Sequence, residues 1–584
     1  MSVMHHGKPD FHNTPYLILL IIVLCTLIIS CSSGKFSSKD KTSEHPDSTV
    51  SVKLLAINDF HGQISYSIET PLGKAGGAAV LDAYLRDAAL MNNNTIFISA
   101  GDLTGASSLT SALLKDEPAV QFFNRFGNES CGCTPNARFS NSCNLIAIPG
   151  NHEFDAGLEE YLRLVNGGNH RDGPFLEKEW TGSRFPVIAC NVRRKSDNEL
   201  VFSPYIIKSI NGVRIAFIGA TLASTPQIVK NSTMLRLRFI NEADAINSFI
   251  PEIKSKGIHA IVAIIHNGGL QNAYDGQTDS ARNALSGPIL SILDKLNDDV
   301  DVAITSHSHS FTNTYYHKGN SKTILVTQGG RAGTAFADID IVIQKSTGEI
   351  IKKTAAILPA LENKGPAVVL NKQTVEFTKY VSAKASLKTN KKIGNAEHVI
   401  LKATNEAGES ALGNLFADAQ RTIMGSDFSF VNINMLRGNL SAGPITWSKL
   451  YYIQPNNNKL VKMTLSGQQI VDLLNQQWQN RTRPSFLQVS GLTYSWNEST
   501  DNYCNVIDVF KNGVSIDRNA DYTVTVPSFL ADGGENFTVF LNGKNRIEGP
   551  MDLDVLEAYI LGYSKPLINY LQNRIIKFSV PQLS

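Results

Sequence analysis

Residues 52–62, Val-Lys-Leu-Leu-Ala-Ile-Asn-Asp-Phe-His-Gly, carry a short apolar run straight into Asn58-Asp59-Phe60-His61. A run of this kind reads as a buried strand, because a strand covered on both faces has no polar alternation to keep. Six more runs follow along the chain: NTIFISA (94–100), NLIAIPG (144–150), RIAFIGA (214–220), AIVAIIH (260–266), DVAITSH (301–307) and TILVTQGG (323–330). Helical segments separate them, which predicts an α/β fold. The ends of the runs matter most. They reach Asn58-Asp59-Phe60-His61, Gly101-Asp102, Gly150-Asn151-His152, His266-Asn267 and Ser306-His307-Ser308-His309, and α/β folds place their sites at strand carboxyl ends.

The residue types in these blocks suit two divalent cations. Hard or borderline cations sharing one site need oxygen and imidazole donors from several loops, with one carboxylate able to touch both ions. Asp59 and His61, two residues apart after the first strand, can be aimed by one turn at a single ion. Asp102, in the Gly-Asp turn after the next strand, is placed to bridge. Asn151, His266 and His307 can complete the second shell, with His309 returning to the first. Each alone has a bland reading: His266 as a hydrogen-bonded structural histidine, Asp102 as a turn former, Asp155 as a helix N-cap ahead of LEEYLRLV. Five of the 13 histidines fall in these blocks, and that concentration favours the metal reading.

Around residues 359–395 the pattern changes to a Lys-rich stretch, KGPAVVLNKQTVEFTKYVSAKASLKTNKKIG, expected as an interdomain linker helix. Alternating β and α signals then resume, predicting a second α/β domain over 396–584. With 51–358 as the first domain, the division suits a chain of 584 residues, since one domain commonly takes about 100–200 residues. Hydrophobic residues make up 42%, charged residues 18% and aromatic residues 8%, a composition that buries a core and excludes a disordered or collagenous chain. Fifty-four Lys and Arg against 52 Asp and Glu leave +2, so no whole-molecule field argues for a nucleic-acid duplex or an acidic membrane surface as partner.

The amino terminus reads as an address. Tyr16–Ile29, YLILLIIVLCTLII, is an apolar run of 14 residues, shorter than the roughly 20 needed to span a bilayer and matching a signal h-region. Ile28-Ile29-Ser30-Cys31 closes it and resembles a bacterial lipoprotein signal. On that resemblance 1–31 is the signal segment, Cys31 the lipidated residue, and 32–50 a polar tether holding the chain to the cell envelope. An uncleaved membrane anchor is the alternative, and either places the rest outside the cytoplasm. Beyond Cys25 and Cys31 there remain Cys131, Cys133, Cys143, Cys190 and Cys504, an odd number. Three cluster in NESCGCTPNARFSNSC, where one disulfide would staple a surface insertion; three thiols without a nearby histidine make a poor zinc knuckle.

Taken together, Asn58-Asp59-Phe60-His61-Gly62, Gly101-Asp102, Gly150-Asn151-His152-Glu153-Phe154-Asp155, His266-Asn267 and His307-Ser308-His309 resemble the successive signature blocks of the calcineurin-like metallophosphoesterases. Their order and spacing are similar to the 5′-nucleotidase and UDP-sugar hydrolase family. The carboxyl-terminal half looks like that family's second domain, with Leu412-Gly413-Asn414-Leu415-Phe416-Ala417-Asp418-Ala419 and Ala531-Asp532-Gly533-Gly534-Glu535-Asn536-Phe537 as landmarks. The resemblance implies a four-layer α/β/β/α sandwich, a linker helix and a smaller α/β domain that rotates against the first. It also implies two divalent ions, zinc, manganese or similar. Asp59, His61, Asp102 and His309 would ligate one, and Asp102, Asn151, His266 and His307 the other. A metal-activated water would attack phosphorus in a nucleoside 5′-monophosphate. His152 would stabilise the transferring group, with Asp155 fixing its tautomer.

The second domain departs from the family pattern. Where the family has Asn-Gly-Gly-Gly-Ile-Arg, this chain has Asn432-Ile433-Asn434-Met435-Leu436-Arg437, keeping the ends and replacing the glycines that let a ligand approach backbone. Pro455-Asn456-Asn457 stands where one stacking ring is expected, with Tyr451, Tyr452 or Trp447 as candidate replacements. Phe529 keeps the other ring position, and Glu535 replaces the usual Asp. These changes leave open altered specificity for a cyclic nucleotide, a nucleotide sugar or a non-nucleotide ester. A low-turnover binding protein is the reading from another class.

Overall fold

The computed structural model describes residues 48–127, 131–229, 232–271, 276–278, 285–319, 322–363, 369–455, 458–498, 505–568 and 571–578. The apolar run at 16–29, Cys31, most of the tether, Asn456, Asn457 and Cys504 lie outside these residues.

The seven apolar runs are all strands. Three of them, Thr49–Ile57, Thr95–Ser99 and Leu145–Ala147, lie parallel. They form a five-stranded sheet with the antiparallel pair Ala335–Gln344 and Ile350–Pro359. The other four, Val213–Ala220, Ala260–Ile265, Val302–Thr305 and Ile324–Gly329, are parallel neighbours in a six-stranded sheet. That sheet is flanked by the antiparallel strands Tyr205–Ile210 and Phe311–Tyr316.

Side-chain alternation explains why the strands are apolar throughout. Val52, Leu54 and Ala56 face Val262 and Ile264 of the other sheet in one buried cluster, with Ile98, Phe217 and Ile304. The intervening Leu55 and Ile57 turn outward onto Leu81 and Leu85 of the helix Ala78–Leu90. Ile261, Ala263 and Ile265 turn the opposite way, onto Ile246 and Ile250 of the helix Glu242–Ser255. Period-two strands with both faces covered therefore stack as helix, sheet, sheet, helix, the expected four-layer sandwich.

The linker helix is shorter than the stretch 359–395. It spans Lys372–Thr389, and Asn371 caps it by accepting the Thr374 N–H at 3.2 Å. Pro359 still belongs to a strand paired with Ala335, and Lys392–Ala396 pairs with Gly443–Thr446, so sheet hydrogen bonds claim both ends. The helix lies on the first domain: Val381 joins its core, and Thr374 Oγ1 donates to buried Asp82 at 2.8 Å.

The second α/β region centres on a five-stranded sheet ordered Leu487–Ser490, Phe428–Asn432, Asp521–Pro527, Lys459–Ser466 and Lys544–Met551. Helices Ala411–Met424 and Asp552–Leu561 contribute to the core on one side, and Gly467–Asn475 to that on the other. Cys131 and Cys143 form a disulfide, while Cys133 and Cys190 keep free thiols among the described residues. No helix of the described residues is long and apolar enough to cross a membrane.

Candidate metal centre

The carboxyl ends of the two sheets are tied to each other, and this brings distant motifs together. Ser306 Oγ donates to Ala100 O at 2.6 Å, and the His307 N–H donates to the Asp59 carboxylate at 3.0 Å. Two donor groups result. Asp59, His61 and His309 have ligand atoms within 4.8 Å of one another, and so do Asp102, His266 and His307. His61 Nε2 lies 3.2 Å from His309 Nε2, and His266 Nε2 lies 3.2 Å from Asn151 Oδ1, which brings the asparagine into the second group.

Asp102 stands between them. Its Oδ1 accepts the His152 N–H at 2.9 Å, whereas its buried Oδ2 has no aligned hydrogen-bond donor among the described residues. The nearest nitrogens to Oδ2 are His266 Nε2 at 3.2 Å and His61 Nε2 at 3.9 Å, one from each group. A buried carboxylate oxygen without a directed donor is costly, and a cation on either side would satisfy it. The donor set, oxygen and imidazole without thiolate, fits divalent ions of the zinc and manganese kind.

Backbone geometry aims these side chains. Asp59, His61, Asp102, His307 and His309 have φ between 48° and 72°, so five of the seven candidate ligands are left-handed. For non-glycine residues this costs about 1–3 kcal/mol each, and such strain gathers at functional sites. It turns the chain sharply just past each strand and folds the side chain back over the sheet edge. Gly150 shows how tightly the turns pack: a Cβ there would lie 2.1 Å from Asp102 Oδ1.

Neighbours orient the rings. His61 Nδ1 faces Gly105 O at 2.8 Å, and His266 Nδ1 faces Ser306 Oγ at 2.9 Å and Ala100 O at 3.0 Å. Each contact leaves Nε2 turned to the centre, the arrangement that raises ligand basicity in metal sites. His152 Nδ1 lies 2.7 Å from Asp155 Oδ2, and the His152 ring is 5.2 Å from that of His61. Asp155 does not cap the following helix Leu158–Asn166, whose N-cap position is Gly157.

The charges are interdependent. Burial opposes ionisation of Asp102, but the imidazoles of His266, His61 and His152 outweigh it and hold the carboxyl well below the usual range. Burial opposes protonation of His266, but Asp102 and Asp59 raise its imidazole to about 9. His152 is likewise opposed by burial and raised to about 9 by its hydrogen bond to Asp155 and the charge of Asp102. Burial lowers His61. His307 is lowered by burial and by His266. Both are thereby biased to the neutral form a cation needs.

Three supports escape sequence reasoning. Glu153 is buried beside His152, and its carboxylate accepts the backbone N–H groups of Gly150 at 2.6 Å, Asp102 at 2.9 Å and Thr104 at 3.0 Å. Asn58 donates to Asp59 Oδ2 at 2.6 Å. Ser306 holds His266 as described. Glu153 and Asn58 stand inside quoted motifs, but adjacency to a candidate ligand does not reveal which backbone groups a side chain will meet.

In the second domain the expected substrate residues are spread out. Asn432 ends a strand and is fully buried; its side chain accepts the Asn434 N–H at 2.9 Å, and its Nδ2 has no hydrogen-bond partner among the described residues. Glu535 accepts from Ser485 Oγ at 2.9 Å and Asn434 Nδ2 at 3.3 Å, which joins the rebuilt loop to the Gly533-Gly534 turn beside Phe529. Arg437 lines an open cavity of about 490 Å³ with Lys402, Thr404, Ile433 and Asn439. Of the replacement rings, Trp447 is buried and stacked on Tyr451 at 5.4 Å, whereas Tyr452 is 69% exposed and lies over Gly438.

Known proteins share this architecture. Residues 52–311 match the calcineurin-like phosphoesterase family, and residues 392–542 match the C-terminal domain of 5′-nucleotidases. The endonuclease YhcR of Bacillus subtilis is 31% identical over 94% of this chain, and the chain spans 42% of that protein's length. The 5′-nucleotidase of Vibrio cholerae is 23% identical over 93% of this chain and 96% of its own. The crystal structure of a 5′-nucleotidase precursor from Thermus thermophilus shares the fold with a TM-score of 0.54 and 24% identity, over 91% of this chain and all of that one. Sandwich, donor groups and second domain together make this chain a member of the calcineurin-like phosphoesterases with 5′-nucleotidase architecture.

Proposed function

We propose that the chain is an exported, metal-dependent phosphohydrolase that releases phosphate from nucleoside 5′-monophosphates, with chemistry in the first domain and nucleotide recognition in the second. The observation that carries this reading is Asp102 Oδ2, buried without an aligned donor between two groups of oxygen and imidazole donors. Asp59, His61, Asp102 and His309 would hold one cation, and Asp102, Asn151, His266 and His307 the other. Bound there, two divalent cations would acidify a water nucleophile and neutralise phosphoryl oxygens. His152, protonated and held through Nδ1 by Asp155, offers its Nε2–H to charge developing on the phosphoryl group. Arg437 suits an oxyanion, and Phe529 and Tyr452 supply faces for a base.

A second reading, a phosphoesterase of altered specificity, is favoured by one observation. Glu535, expected from the resemblance to meet a ribose hydroxyl, is already engaged by Ser485 and by Asn434 of the rebuilt loop. Nucleotide sugars, cyclic nucleotides and non-nucleotide esters are the substrates it admits. Export rests on the apolar run Tyr16–Ile29, and anchoring to the cell envelope on Cys31; Cys31→Ser should release the chain from the membrane fraction.

The test is hydrolysis by the chain lacking residues 1–31, read by chromatographic separation of the products, because opening a cyclic diester or splitting UDP-glucose frees no inorganic phosphate. The panel is nucleoside 5′-monophosphates, cyclic nucleotides, UDP-glucose and p-nitrophenyl phosphate, with manganese, zinc or chelator. Metal-dependent hydrolysis of 5′-monophosphates is expected. Hydrolysis of the other esters alone would transfer the conclusion to the second reading, and hydrolysis of none would leave a binding protein.

A further inference from the structure

Lys115-Asp116 precedes the helix Glu117–Phe123, and an aspartate there would ordinarily accept a backbone N–H of the first turn. Asp116 occupies the N-cap position but makes no such bond. Its side chain turns the other way: Oδ1 accepts from Ser111 Oγ at 2.8 Å and Oδ2 accepts the Gly105 N–H at 3.2 Å. Lys115 and Asp116 have φ of 53° and 59°, two successive left-handed residues without a glycine. The chain thus gives up a helix cap and accepts strain to bring one carboxylate onto Gly105.

Gly105 is where that carboxylate can act on the metal centre. Its carbonyl faces His61 Nδ1 at 2.8 Å while its N–H is held by Asp116. Its backbone also abuts His152, since a Cβ on Gly105 would lie 2.1 Å from His152 O. The carbonyl fixes the His61 tautomer with the proton on Nδ1 and leaves Nε2 free as a ligand. The same loop seats Leu109 and Leu113 on the core of the second domain, and the Ser108 N–H donates to His61 O at 3.0 Å.

We propose that Asp116 is a positioning residue for the group Asp59, His61 and His309, acting on His61 through both backbone groups of Gly105. This rests on the metal-centre reading given above. Asp116 touches neither cation nor substrate; it sets the angle at which His61 presents Nε2.

The experiment is calorimetric titration of the metal-free chain lacking residues 1–31 with Mn²⁺, for wild type, Asp116→Gly and Asp116→Asn. Glycine adopts the left-handed backbone freely, so Asp116→Gly removes the carboxylate without adding strain, and circular dichroism melting confirms its fold. Wild type should take up two Mn²⁺. In Asp116→Gly one of the two should bind 10- to 100-fold more weakly, the scale of losing a support behind a ligand, with kcat reduced and KM kept. Asp116→Asn, which retains an oxygen for the Gly105 N–H, should recover most of the affinity. Wild-type affinity at both sites in Asp116→Gly overturns the proposal and leaves the metal centre standing; no Mn²⁺ uptake by wild type overturns both.

Discussion

Glu153 Oε2 accepts the backbone N–H of Asp102 at 2.9 Å, so the residue beside His152 holds in place the carboxylate that lies between the two donor groups. The same carboxylate accepts from Gly150 and Thr104, and burial together with the Asp102 charge pushes its pKa up to about 8. Glu153→Ala would leave three backbone donors without partners. Each such loss costs about 1–3 kcal/mol, so urea unfolding of the first domain should show at least about 3 kcal/mol of destabilisation, with Glu153→Gln between. A change below about 0.5 kcal/mol would mean that water replaces the carboxylate.

Asp102→Asn keeps the oxygen that accepts the His152 N–H and puts an amide where Oδ2 faced His266 and His61. The group that would touch both cations is gone, which should cost several kcal/mol of transition-state stabilisation. Phosphate release should fall at least about 10³-fold, at about 1.4 kcal/mol per tenfold, while the second domain still melts as in wild type. Turnover within tenfold of wild type would remove the two-cation mechanism.

The pair His152 and Asp155 sets a pH dependence in the metal-free chain. The folded imidazole sits at about 9, above its ordinary 6.5. Its stabilising contribution is therefore fully present below 6.5 and is lost as the pH rises through about 9. Melting temperatures in chelator should decline across that window. Asp155→Asn should flatten the decline in part, since His266 contributes in the same direction. An identical decline in the variant would show that the hydrogen bond to Asp155 carries none of it.

Tyr452 tests the recognition surface. Its exposed ring lies over Gly438, next to Arg437. Base stacking is worth about 1–3 kcal/mol, so Tyr452→Ala should raise KM for a nucleotide about tenfold or more. Hydrolysis of p-nitrophenyl phosphate should be unchanged. Equal effects on both substrates would assign the ring to folding.

The disulfide Cys131–Cys143 closes a short loop, with a sequence separation of 12. Loop-closure entropy puts its contribution at about 3 kcal/mol. Cys131→Ser should lower stability by that order in urea, and reductant should do the same to wild type. Equal stability of oxidised and reduced chains would place the staple in a segment that unfolds independently.

Which residues form strands, and which polar residues follow each strand, were legible in the chain. Val52–Ile57 and Ala260–Ile265 are apolar because both faces are covered, and that requirement is written locally in the residues themselves. The linker was legible as a helix but not in extent, because Pro359 and Lys392 are claimed by strand partners distant in sequence. The second domain was legible as α/β and as a departure from its family. That Asn434 would meet Glu535, and Tyr452 would lie over Gly438, was not, because those contacts join separate turns.

By itself, then, the sequence determined the seven strands, the polar blocks at their carboxyl ends and the absence of thiolate from the donor set. Side-chain period and residue chemistry act over a few neighbours and need no partner to be read. Tertiary structure alone decided that Ser306 would meet Ala100, that Asp102 Oδ2 would face both donor groups, that the Glu153 oxygens would accept three backbone N–H groups, and that Asp116 would leave its helix to hold Gly105. These relations join segments from different sheets and loops. Their geometry follows from how two twisted sheets pack face to face and bring their carboxyl ends together, which no local pattern specifies.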